Sequence, residues 1–141
     1  MKVWMYVDQF ATLDSSQEEE YQNLEELIQT ALPFKISFKR NVLPHELKNG
    51  NPDIYIFDIG GLCYIDFSGD KRIDMSKTML EQVNDHPNTL FIPYSKMTVD
   101  YVKFAMEDFL PELNSATNIF FAKSEWDIED ELTKFIRNWF A

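Results

Sequence analysis

Apolar residues fall along this chain in short runs of about five, separated by longer stretches in which they recur every three or four positions. The first run, Val3 to Val7, ends at Asp8 and predicts a strand. After a loop from Gln9 to Asp14, Ser15 or Ser16 caps a helix, each with a glutamate three residues on. Tyr21, Leu24, Leu27, Ile28 and Ala31 mark that helix's apolar stripe, and Pro33 closes it. Phe34 to Lys39 alternates strictly, Phe-Ile-Phe on one side and Lys-Ser-Lys on the other, which predicts an edge strand guarded by its lysines. Asn41 to Asn51 is polar, with a short helix around Leu43 to Leu47. The run Asp53 to Phe57, between Pro52 and Asp58-Ile59-Gly60-Gly61, reads as a central strand buried on both faces.

Leu62 to Asp74 is less regular. Leu62 to Phe67 is a candidate extra strand, and Ser68-Gly69-Asp70 a turn. Ser76 opens a short helix through Met79, Leu80 and Val83 that ends at Asn84-Asp85-His86-Pro87. Thr89 to Pro93 is a further strand, tipped by Tyr94-Ser95. Thr98 to Leu110 is helical, Asn118 to Ala122 is a fifth strand ended by Lys123, and Asp127 caps a last helix. That helix carries Ile128, Leu132, Phe135, Ile136 and Trp139 inward. Strand and helix thus alternate about five times. Such alternation predicts a single α/β domain over residues 1–141, a flavodoxin-like three-layer sandwich whose five-stranded parallel sheet has the order 2-1-3-4-5. In that order Asp8 and Asp58 end neighbouring strands at the crevice where open α/β sheets bind ligands.

Composition narrows the function. With 45% hydrophobic and 15% aromatic residues, the chain has the material for a packed core and does not read as disordered. Lys plus Arg number 13 against 24 Asp plus Glu, a formal charge of −11, which argues against direct binding of nucleic acid or an anionic membrane. The cluster Glu18, Glu19, Glu20, Glu25 and Glu26 favours the dipole of the first helix and otherwise reads as a solvated face. Cys63 is the only cysteine, so neither an internal disulfide nor a cysteine-based zinc site forms; beside its glycine turn it reads as a buried structural thiol. No apolar run approaches the roughly 18 residues a membrane span needs. The first apolar run is too short for a signal peptide, and cytoplasmic location is the expectation.

Asp8, Asp58, Ser95 and Lys123 all fall at predicted strand ends. Two neighbouring carboxylates share a proton or bind a cation such as Mg²⁺, and a hydroxyl and an ammonium beside them suit a phosphoryl group. Polar strand ends are also common without function. Pro52 to Ile59 resembles the third strand of response-regulator receiver domains. Phe121-Ala122-Lys123 with Asp127 to Leu132 is similar to that family's fifth strand, its lysine and its last helix. Leu90 to Ser95 sits where that family's fourth strand ends in Thr or Ser, though only the third strand and the end of the fifth resemble the family closely. The resemblance implies Asp58 as phosphoacceptor, Asp8 and Asp58 as ligands of Mg²⁺, Ser95 and Lys123 as partners of the phosphoryl group, and a kinase or output protein as partner.

The departures from that pattern favour a degenerate receiver over a working one. Gln9 stands where the family has a second acid, Ser124 where it usually has Pro, and Gly60-Gly61 opens an unusually long segment. The same third strand is similar to the Walker B strand of partition ATPases. Gln9 to Leu13 lacks the glycines and lysine of a phosphate loop, so NTP hydrolysis is not expected. Phe10 likewise stands where a haloacid-dehalogenase-like phosphatase has its second aspartate. Two alternatives stay open: an acidic interaction or inhibitor protein acting through Glu18 to Glu26 and Asp127 to Glu131, and a small-molecule or nucleotide binder at the strand ends. His45 and His86 read as solvated. Trp126, Trp139 and Phe140 either pack on the sheet, the preferred reading, or form a homodimer patch.

Overall fold

The computed structural model describes residues 1–7, 16–58, 79–94, 112, 116–120 and 128–141; residues 58, 94, 128 and 129 are described in backbone only. Strand β1 is Lys2–Tyr6, helix α1 Gln17–Ala31, β2 Ser37–Lys39, β3 Ile54–Asp58 and β4 Leu90–Tyr94. A 3₁₀ helix spans Pro44–Asn49. Residues 79–85 are helical and are called α2, and α3 is Ile128–Trp139. All strand pairs are parallel, and the order is β2-β1-β3-β4.

The described sheet has four strands where the pattern predicted five. The stretch expected as the fifth contributes one parallel bridge, Ile119 to Phe91, in which the Phe91 N–H donates to the Asn118 carbonyl (2.8 Å) and the Phe120 N–H to the Phe91 carbonyl (2.9 Å). The predicted helix at Thr98 to Leu110, the irregular segment Leu62 to Asp74 and the cap Asp127 lie outside the described residues. Three strands are displaced by one residue: the first begins at Lys2, the third runs to Asp58 and the fourth to Tyr94. The edge strand is shorter than its alternation, because Phe34 is still bound to the end of α1, its carbonyl accepting from the Gln29 side chain (3.1 Å). The helix expected around Leu43 to Leu47 is 3₁₀. Pro44 opens it, and the Glu46 carboxylate accepts from the Leu43 N–H (2.7 Å).

Period-two alternation gives the sheet two unlike faces. Val3, Met5, Val7, Ile54, Ile56, Leu90 and Ile92 pack under α1 and α3, meeting Tyr21, Leu24, Ile28, Leu132 and Ile136. Tyr55, Phe57 and Phe91 form the opposite face with Val42, Leu47, Met79 and Val83, and Trp4 and Tyr6 lie against them. Tyr55 stacks on Phe57 (5.8 Å) and meets Phe91 edge-on (6.0 Å). Trp139 and Phe140 pack against the aliphatic cluster, as preferred above. No described helix is long and apolar enough to cross a membrane.

Candidate functional site

From β1 the chain steps out to β2, then returns across β1 to β3 and on to β4. The direction reverses between β1 and β3, so the carboxyl ends of these two strands flank the position where open α/β sheets keep their ligand crevices. Tyr6 is in register with Phe57, and Asp58, the last residue of β3, is level with Tyr94 of β4. Of the four residues singled out from the sequence, the backbone of Asp58 is therefore at the expected strand end. Asp8, Ser95 and Lys123 lie outside the described residues, as do Cys63 and Gly60-Gly61.

The described wall of this end is built from α1 and the turn after β2. Tyr21 is 2% exposed, and its hydroxyl accepts from the N–H groups of Val7 (2.9 Å) and Asn41 (3.1 Å) and donates to Asn41 Oδ1 (3.2 Å). Gln17 Nε2 donates to the Val7 carbonyl. Both backbone groups of Val7, the residue before Asp8, are thus held by side chains of α1. Asn41 has a φ of 59°, in the left-handed region that asparagine tolerates better than most residues. The sequence pattern marks Tyr21 only as part of an apolar stripe and Asn41 only as polar; no local pattern signals that they meet.

Two of the acids of α1 share one cation at this wall. Arg40 donates to Glu25 from Nε (3.0 Å) and Nη2, and to Glu18 from Nη1 (2.6 Å), while its guanidinium lies over the Tyr21 ring (5.3 Å). The hydrogen bond from Arg40 holds the Glu18 carboxyl below its ordinary range, and the bonds to Glu25 and Glu18 hold Arg40 above its own. Burial pushes the Tyr55 phenol well above its usual value, and its O–H donates to the Val42 carbonyl (2.7 Å).

Two expectations are corrected. The acid run is not simply a solvated face, since Glu20 is 2% exposed and Glu18 and Glu25 are paired with Arg40. His45 is exposed, but His86 is not merely solvated: its Nε2 is 2.9 Å from the Leu47 carbonyl and its Nδ1 3.2 Å from that of Gln82, tying α2 to the 3₁₀ helix. Among the described residues no group of three or more His, Cys, Asp or Glu is placed to hold a metal ion. No protein-family model, curated protein sequence or solved structure matches this chain.

Proposed function

We infer that the chain is a signalling or protein-interaction module of receiver type, completing a five-stranded sheet of order 2-1-3-4-5 and centred on Asp58. The observation that carries this reading is the parallel pairing of β1 and β3 at the reversal of strand order, with Asp58 ending β3 and Asp8 following Val7 directly in the chain. The Ile119 bridge beside β4 supports the fifth strand and, with it, Lys123 near the same end.

In this reading a carboxylate oxygen of Asp58 attacks the phosphorus of a phosphohistidine. The new P–O bond forms as the P–N bond breaks, and the departing imidazole nitrogen keeps the electron pair and takes up a proton. Ser95 and Lys123 would then hydrogen-bond and neutralise the phosphoryl oxygens. Asp8 and Asp58 offer hard carboxylate oxygens suited to Mg²⁺, which when bound offsets phosphoryl charge. With Gln9 in place of a second acid, Mg²⁺ is held weakly, and the module works chiefly by binding its protein partner.

The acidic-surface alternative draws less support, because Glu18 and Glu25 share the one guanidinium of Arg40, which offsets half of their charge, and Glu20 is buried. The test is incubation with acetyl phosphate and Mg²⁺ followed by intact-mass analysis. A weak phosphoryl adduct, labile to hydroxylamine and absent from Asp58→Asn, is expected. An equal adduct on both proteins would overturn Asp58 as acceptor, and no adduct at any Mg²⁺ concentration would leave a partner-binding module without phosphotransfer.

A further inference from the structure

The far edge of the sheet is basic in an otherwise acidic chain. Residues 27–45 contain no acid in a chain with 24 of them, and hold Lys35, Lys39 and Arg40. Arg40 is occupied by Glu18 and Glu25, but Lys35 and Lys39 form no ion pair among the described residues. Lys39 lies over the Trp4 ring (5.0 Å), and both lysines are exposed. On the other side of this strand Ile36 and Phe38 are partly buried, and Phe34, 43% exposed, is the one exposed large hydrophobic side chain among the described residues.

Among the described residues the backbone here is open. Ser37 donates its N–H to the Met1 carbonyl (2.8 Å), and β2 is the terminal strand of the described sheet. Parallel ladders alternate, so Ser37 and Lys39 face β1 while the N–H and C=O of Phe38, and of Ile36 before it, point outward. Exposed strand edges of this kind are templates for an added strand.

We propose that this edge takes up an extended segment of a partner protein in which acidic and apolar residues alternate. The acids lie along Lys35 and Lys39, the apolar side chains beside Phe34, Ile36 and Phe38, and the partner backbone pairs with Ile36 and Phe38. Edge lysines ordinarily deter pairing, and they do so here against a second copy, whose own β2 would bring lysine against lysine. An acidic strand meets no such repulsion, and the charge complementarity selects it. This surface is separate from Asp58 and stands whether or not Asp58 is phosphorylated.

The test uses the full chain and a fluorescent, terminally blocked peptide of alternating Glu and Val, read by anisotropy and by amide hydrogen exchange. Saturable binding is expected, with slowed exchange at Ile36 and Phe38. Lys35→Glu should weaken it at least about tenfold, as should N-methylation of the peptide's edge-facing amides; Lys39→Glu is the second variant, since Lys39 also covers Trp4. No binding, or binding indifferent to N-methylation, would overturn strand addition. Displacement by an oligonucleotide of equal charge would assign the edge to nucleic acid. Protection of the same amides that rises with protein concentration alone would assign it to a second copy.

Discussion

The Asn118 side-chain amide donates toward three carbonyls, those of Val83 (3.0 Å), His86 (2.9 Å) and Thr89 (3.2 Å), and so fastens the end of α2 and the start of β4 to the residue whose carbonyl accepts from the Phe91 N–H. Asn118 is 4% exposed, so removing its amide strands buried acceptors. Asn118→Ala should lose about 1–3 kcal/mol of stability, measured as a lower urea midpoint at unchanged slope. Tyr21→Phe should cost a similar amount, about 1–3 kcal/mol, because the buried N–H of Val7 loses its acceptor. At Gly50 the backbone is extended and unstrained, but a Cβ would come within 2.1 Å of the Trp4 ring. Gly50→Ala should therefore displace Trp4, shift its fluorescence and cost about 1–3 kcal/mol. Little of this was legible in advance. Ser16 was, since its Oγ accepts from the Glu19 N–H three residues on (3.2 Å), a local partnership that spacing reveals. Asn118 finds its partners 29 to 35 residues away, and nothing in its neighbourhood signals them.

Elements were easier to read than residues because each strand is a short apolar run and each helix has a periodic stripe. The one-residue offsets in β1, β3 and β4 arise because an apolar run marks what is buried, whereas the strand is set by pairing, which reaches past the run to Lys2, Asp58 and Tyr94. Helix α1 carries an electrostatic consequence at this scale. The Glu18 carboxyl is held down in the folded state by Arg40, so the stabilisation it brings is present above the ordinary glutamate value of 4.5 and is lost as pH falls below it. The stability difference between the wild type and Arg40→Ala should therefore narrow as pH is lowered through and below 4.5, followed by thermal melts at fixed ionic strength. A gap that stays constant with pH would mean that this pair does not hold α1 to the turn after β2.

For the molecule as a whole, the order of elements carried most of the architecture. Alternating strand and helix predicted a parallel sheet with 2-1-3-4 at its heart, and the described strands have that order. What the pattern did not reveal is the division of the two faces, aliphatic under α1 and α3 and aromatic under α2, although Trp4, Tyr6, Tyr55, Phe57 and Phe91 stand at alternate positions. Reading each run as uniformly apolar hid the alternation within it. The candidate site was legible only as strand ends, for the residues that frame Val7 belong to α1 and to the turn after β2. In the proposed reading the carboxyl ends of β1 and β3 form an acidic crevice working through Asp58. Its most direct measurement is a Mg²⁺ titration with and without beryllofluoride, followed by amide chemical shifts in wild type and Asp58→Asn. The account predicts weak, saturable Mg²⁺ shifts at Val7 and Phe57, strengthened by beryllofluoride in the wild type alone. Shifts identical in the two proteins, or confined to the exposed acids of α1, would contradict it.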